Sequence, residues 1–243
     1  CFINKMDRMG ANYPRVVQMM KDRLGAVPVV MQLPMGSESD FQGVIDLLKM
    51  KAYGFEGDKG ERVIEKEIPD NLKEEAAKRR KELVEKIVEQ DDALMHAYFD
   101  GKEISLEDLK RVLRKACLEL KIIPIVTGSA LKNKGVQLVL DAVVDYLPSP
   151  LDVPSVKGIN PKTGVEEHRH PKDDEPFTAL AFKIAADPFV GSLTFFRVYA
   201  GMLKKGTYIL NTSKGSQERI GRILRLHANH REELDEIYAG EIG

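Results

Sequence analysis

Two short stretches hold the residues whose types and spacing can do chemistry, Asn4-Lys5-Met6-Asp7 and Gly128-Ser129-Ala130-Leu131-Lys132. Each follows directly on an apolar run that reads as a strand, Cys1 to Ile3 and Ile122 to Val126. In an open parallel α/β sheet, ligands sit beyond the carboxyl ends of the strands, so two such loops can converge on one ligand. The residue types suit guanine, whose Watson-Crick edge offers an acceptor at O6 and donors at N1 and the 2-amino group. A carboxylate such as Asp7 has only acceptors and can take both donors in one bidentate, charge-assisted pair. A backbone N–H near Ala130 can donate to O6, where adenine would present a donor of its own. Buried hydrogen bonds of this kind reject a wrong partner far better than an apolar pocket does. Asn4 can orient the loop or reach the N7 edge, and the aliphatic stems of Lys5 and Lys132 can cover the two faces of the base. Met6 falls within the same motif. An Asn-Lys-x-Asp tetrapeptide alone also suits a solvated turn, and Ser129 alone could cap the helix after it. Two motifs in this order, each after a strand, point to a base pocket.

Other chemistry is sparse. No G-x-x-x-x-G-K-[ST] phosphate loop occurs, and no magnesium-binding Ser, Thr or Asp stands in such a context, so the chain alone is expected not to hydrolyse a nucleotide. His168, His170, His227 and His230 read as exposed polar residues. His96, beside Met95, Tyr98 and Phe99, reads as partly buried and hydrogen-bonded, and no metal site is expected. Arg79 and Arg80, with the lysines near them, suit a small contact patch or, as is commoner for such charge, a solvated helix face. Cys1 and Cys117 have no CxxC spacing; Cys117 reads as a core residue, and the setting as reducing and cytoplasmic.

The elements that must position these loops follow from periodicity and punctuation. Asn12 can cap a helix with Pro14 in its first turn, Val16, Val17, Met20 and Leu24 on one face, and Gly25 as its stop. Val27 to Leu33 is a nearly continuous apolar run, suited to one strand covered on both faces. From Met35 to about Lys121 the character changes. Gly54, Gly57 and Gly60 punctuate a turn between extended stretches, and a charged helical region follows with a stripe of Leu83, Val84, Ile87 and Val88. A further helix opens at Ser105, with Asp108 placed as in a capping box, and runs through Leu106, Leu109, Val112, Leu113, Ala116, Cys117 and Leu120. The loop 127–135 leads to a helix over Val136 to Leu147 that Pro148 and Pro150 end. A Pro/Gly-containing linker extends to Pro176. Beyond it, β-branched and aromatic residues alternate between glycine turns at Phe177 to Ile184, Leu193 to Tyr199 and Thr207 to Asn211, as in an antiparallel barrel or sandwich.

Length and charge agree. With 243 residues, 43% of them hydrophobic, two domains are expected. Lys and Arg number 37 against 38 acidic residues, so no global basic field announces nucleic acid or a membrane surface, and any RNA contact must be local. No apolar run approaches the roughly 20 residues of a membrane span. The opening at Cys1-Phe2-Ile3 and the end at Tyr238 to Gly243 both read as cut within a pattern.

The runs Asn4 to Arg8, Gly128 to Gln137 and Leu140 to Pro150 resemble one family, bacterial translation elongation factor G. Phe177 to Ile184, Asp187 to Gly191 and His227 to Glu233 look like the second domain of that factor, so the resemblance covers essentially the whole chain. It implies the C-terminal half of an α/β P-loop-type GTPase domain with an α+β insert, followed by an incomplete antiparallel β-barrel. Residues 1–33 would carry the first guanine motif, 34–121 an inserted subdomain, 122–155 the second motif and last helix, and 156–243 the barrel. The resemblance implies a GTPase that drives movement of tRNA and mRNA on the ribosome. It would bind GTP and GDP, with Mg2+ held by residues not in this chain. Its guanine contacts would be Asn4, Lys5, Met6, Asp7, Ser129, Ala130 and Lys132, and the insert would meet the ribosomal stalk protein. A related release factor or ribosomal protection protein, or a non-hydrolysing module that binds nucleotide or ribosome, is the alternative.

Overall fold

The computed structural model describes residues 1–160, 163–187, 191–227 and 230–243. It divides into two compact units, Cys1–Leu147 and Pro148–Gly243.

In chain order the first unit contains β1 (Phe2–Ile3), α1 (Tyr13–Leu24), β2 (Pro28–Val30), β3 (Gln32–Met35), β4 (Gly43–Asp46), β5 (Lys51–Glu56) and β6 (Arg62–Lys66). Then follow α2 (Asp70–Val88), α3 (Asp92–Phe99), α4 (Leu106–Leu118), β7 (Ile123–Thr127) and α5 (Val136–Tyr146). Its parallel sheet has the order β1-β7-β2, so the last strand in sequence lies in the middle. Phe2 pairs with Val126 and Ile3 with Thr127 on one side, and Val30 with Ile125 on the other. Each strand of the sheet is short, and the central one is buried almost throughout, with Ile125 and Thr127 both at 0% exposure.

Asn12 caps α1 by accepting from the Arg15 N–H at 2.9 Å, and Gly25, in the left-handed conformation, ends it. Met20 is buried and Val16 and Val17 are half-buried. Leu24, expected on the same face, is 75% exposed. Tyr13 takes the inner position at the start of the helix, and its hydroxyl donates to the Gln32 carbonyl at 2.9 Å.

The run Val27 to Leu33 is two strands, not one. At Met31 the backbone changes sheets: its N–H donates to Ile125 O at 3.0 Å, while its carbonyl accepts from the Leu47 N–H at 2.9 Å. β2 therefore belongs to the parallel sheet and β3 opens an antiparallel one of order β3-β4-β5-β6. Gln32 at the seam is buried, and its Oε1 accepts from the Thr127 N–H at 3.1 Å. Gly54 lies within β5, between Gly43 and Ile64, whereas Gly57 and Gly60 form the β5–β6 turn.

Helices α2 and α4 pack through Leu83, Ile87, Val88, Leu109, Val112, Leu113 and Ala116, all in the core, with Val84 and Cys117 half-buried beside them. Burial pushes the Cys117 thiol above its ordinary value. Leu120 lies past the helix end in a left-handed conformation and is 88% exposed, so the helical stripe stops before it. Ser105 caps α4 by accepting from the Asp108 N–H at 3.1 Å; the Asp108 carboxylate accepts from the Ser105 hydroxyl rather than closing the box on a backbone amide. The charged region has a break, and α3 is a separate short helix on which His96 is exposed. Arg80 is not a solvated charge either. It donates to the carbonyls of Leu47 and Leu48 and fastens α2 to the turn after β4.

The second unit is made of antiparallel pairs. A hairpin of β8 (Val156–Ile159) and β9 (Glu166–Arg169) occupies the stretch expected to be a plain linker, and His168 lies in β9. Next come β10 (Thr178–Asp187) and β11 (Gly191–Ala200), paired along their length with two irregularities of register. Short strands follow: β12 (Leu203–Lys204), β13 (Tyr208–Asn211), β14 (Ser216–Arg219), β15 (Ile223–His227), β16 (His230–Leu234) and β17 (Glu236–Ile237). Val198, Leu203, Ile223 and Ile237 form the core, with Phe177, Phe196, Ile209, Ile220 and Leu234 against it. Residues 188–190 of the stretch Asp187 to Gly191, and 228–229 of His227 to Glu233, lie outside the described residues. His170, His227 and His230 are exposed.

Candidate functional site

Because β1 and β7 run parallel and in register, the chain leaves both at the same edge of the sheet. The loop after β1 carries Asn4 to Asp7, and the loop after β7 carries Gly128 to Lys134. The two loops are bonded to each other. Gly128 N–H donates to Ile3 O at 3.1 Å, Met6 N–H donates to Gly128 O at 3.1 Å, and the Thr127 hydroxyl donates to Ile3 O at 3.1 Å. Gly128 is required by the approach: a Cβ there would stand 2.2 Å from the Lys134 carbonyl oxygen.

Asn4 joins the loops at their outer end. Its Oδ1 accepts from the Lys5 N–H at 2.7 Å and from the Ala130 N–H at 2.9 Å, 126 residues away in sequence. Of the two uses expected for Asn4, the geometry shows loop orientation. Lys5 takes a left-handed conformation, φ 67°, and is exposed. Met6 is 2% exposed, its side chain in the hydrophobic core. Any part it takes in binding runs through its backbone, whose carbonyl accepts from the Glu38 N–H at 2.7 Å.

Residues 129–134 form a tight turn in which Ser129 and Lys134 exchange backbone hydrogen bonds of 2.8 and 3.0 Å. Ala130, Leu131 and Lys132 are exposed along its outer arm. Among the described residues, the N–H groups of Leu131 and Lys132 find no acceptor. Ser129 is 1% exposed. Its hydroxyl faces the Asp7 carboxylate and is the main reason that carboxyl is held below its ordinary value, with the charges of Arg8 and Lys132 adding to the effect. The hydroxyl nonetheless completes no hydrogen bond of good geometry, which leaves a buried polar atom at the site. Asp7 itself is half-buried. One edge of the sheet thus gathers an ionised acceptor, Asp7, the exposed amides of the turn, and two lysine stems. That set can grip a flat heterocycle with two donors and one acceptor on its rim.

Supporting residues outside the two motifs hold these loops. Glu38 Oε1 accepts from the Gly10 N–H at 2.7 Å, which closes the segment after Asp7. Lys134 Nζ donates to the carbonyl of buried Phe41 at 2.9 Å and stands 5.8 Å from the centre of its ring. Neither residue carries a pattern visible in the sequence. A cavity of the same unit, lined by Gln32, Asp46, Lys49, Lys110, Asp141 and Asp145 among others, takes in none of the seven candidate residues. Among the described residues no cluster of three or more His, Cys, Asp or Glu side chains is arranged to hold a metal ion, and no helix is long and apolar enough to cross a membrane.

The model of the elongation factor Tu GTP binding domain matches residues 1–149, well over half of the chain. The chain belongs to this GTPase family. A second model, elongation factor G domain 2, matches residues 176–243. This GTP-binding domain is thus joined to a β-rich domain of a translation elongation factor, the combination of a translational GTPase. The chain is also similar to a crystal structure of a protein from Thermus thermophilus, at 26% identity and a TM-score of 0.75 over 99% of this chain. The match covers 33% of that protein, so the chain spans a third of its length.

Proposed function

We propose that this chain is the guanine-recognising part of a translation elongation factor G, and that in a longer protein it serves GTP-dependent movement of tRNA and mRNA on the ribosome in the cytoplasm. The observation that carries the reading is the bond from Ala130 N–H to Asn4 Oδ1, which makes the loops after β1 and β7 into one receptor. In it, the Asp7 carboxylate accepts from guanine N1–H and the 2-amino group. O6 accepts from the free amides of Leu131 and Lys132, next to Ala130 on the same arm, and the stems of Lys5 and Lys132 cover the faces of the base. Hydrogen bonds to a charged group contribute about 1.5–3 kcal/mol each, enough for strong preference over adenine. Ser129 lowers the pH at which Asp7 takes up a proton.

Residues 34–121 are the inserted subdomain, facing the stalk protein, between GTPase portions 1–33 and 122–155. Residues 156–243 are part of a barrel, a reading supported by the match to elongation factor G domain 2 and by the strand pairs among the described residues, which are antiparallel. The phosphates, Mg2+ and hydrolysis are served by segments beyond this chain, which on its own does not hydrolyse GTP.

The test is Asp7→Asn in the full-length protein. GDP binding should weaken by about a hundredfold or more, while xanthosine diphosphate, whose 2-oxo group accepts from the new amide, should gain. Competition against a fluorescent GDP reads both; an unchanged preference between the two bases would sink the assignment.

A further inference from the structure

The turn 129–134 holds its own shape by two backbone bonds at its neck and one from Asn133 N–H to Ala130 O, but nothing within it restrains the exposed arm. Asn4 holds its first residue, Ala130, from the loop after β1, and the restraint on the rest comes from the antiparallel sheet. Gly60, at the tip of the β5–β6 hairpin, has φ +62°, and a Cβ there would stand 2.6 Å from Lys132 O and 3.2 Å from Asn133 O. The tip therefore lies backbone on backbone against the arm, at a position only glycine can fill. Its carbonyl accepts from Gln137 Nε2 at 3.1 Å. Gln137 sits in the first turn of α5, just past the loop, so one side chain clamps the hairpin to the segment that leaves the turn. Its Oε1 is buried without a partner. A buried amide left half-satisfied is costly, and turning it over would set two oxygens against each other; the donor to Gly60 fixes its orientation.

We propose that Gln137 and Gly60 are positioning residues for the grip on guanine: they hold the free amides of Leu131 and Lys132 at the place of guanine O6 without touching the nucleotide. The inference rests on the guanine reading above. It makes the grip on guanine depend on a hairpin some 70 residues distant in sequence, since misplacement of a binding group by an ångström is enough to lose most of its effect.

The experiment uses the full-length protein with Gln137→Glu, which keeps the shape and removes the donor, and Gly60→Val, with Asp7→Asn alongside. Dissociation of GDP is followed by stopped flow, together with the number of sites per chain, the preference for GDP over xanthosine diphosphate, and the melting temperature. Gln137→Glu sets a carboxylate oxygen against the Gly60 carbonyl and should lower the melt somewhat; at a temperature where the variant is fully folded it should still speed GDP release about tenfold, with one full site per chain and an unchanged preference between the two bases, both of which carry O6. Gly60→Val, where it folds, should do the same or more. Release unchanged in Gln137→Glu overturns the proposal, as does a faster release that merely tracks a lower melt or a loss of sites. Failure of Asp7→Asn to change base preference strikes the guanine reading instead, whatever the other two variants do.

Discussion

At Asp7, a neighbouring hydroxyl and two cations favour the charged form more than partial burial disfavours it. A carboxyl whose folded pKa is lowered contributes stability above the unfolded value, about 3.9 for Asp, and loses it as pH falls through the folded value. The charge on Asp7 should therefore persist below the range where ordinary carboxylates take up protons. Ser129→Ala removes the largest cause, so the Asp7 titration followed by NMR should move up toward the ordinary value; an unmoved midpoint would show that Ser129 has no hold on it. The letters at Asn4, Asp7 and Ser129 are legible because the residue type is the chemistry. Glu38, Lys134 and Gln137 are not, because they act on backbone carbonyls and amides 28 to 93 residues away, and nothing local marks the partner. Met6 stands inside a readable motif and is nonetheless turned into the core, at 2% exposure, which nothing in the motif's letters marks.

At the scale of elements, the capping residues give the helix ends and the tertiary partners decide the rest. Asn12 and Gly25 mark α1 correctly from either end. The break at Met31 has no local sign, because it is made by Ile125 on one side and Leu47 on the other. The stripe on α4 is readable as far as the helix lasts. Leu113 and Leu120 look equivalent in a period of 3.6, yet Leu113 is 0% and Leu120 88% exposed. Leu113→Ala should cost about 2–5 kcal/mol through the cavity it leaves, and Leu120→Ala no more than about 0.5 kcal/mol. Urea midpoints of the two variants read the difference; equal losses would mean that α4 is longer than described. α2 and α4 are also fixed by polar bonds at their rims, from Lys86 to Pro28 O at 3.1 Å and from Lys110 to Asp145 at 2.7 Å. The latter is half-exposed and adds little beyond about 1 kcal/mol.

For the molecule as a whole, the division after Leu147 follows from the end of α5 and the prolines at 148 and 150, which cannot continue a helix. Unit 2 is less legible, since among the described residues six of its ten strands are shorter than five residues and its glycine turns do not say which strand pairs with which. The insertion of β7 between β1 and β2 has a further consequence, for the order in which the chain acquires its shape. The two outer strands of the parallel sheet cannot pair with each other and must wait for a partner about 90 to 120 residues later, while the four antiparallel strands and α2 to α4 can form from near neighbours. Closing long loops before any contact rewards them is slow. Pulsed hydrogen exchange during refolding should therefore protect the amides of β4 and β5 first and those of Met6 and Gly128 last. On a ribosome making this protein, the motif at Asn4 would emerge well before the loop at Gly128 and would become a binding site only once that loop had followed it out.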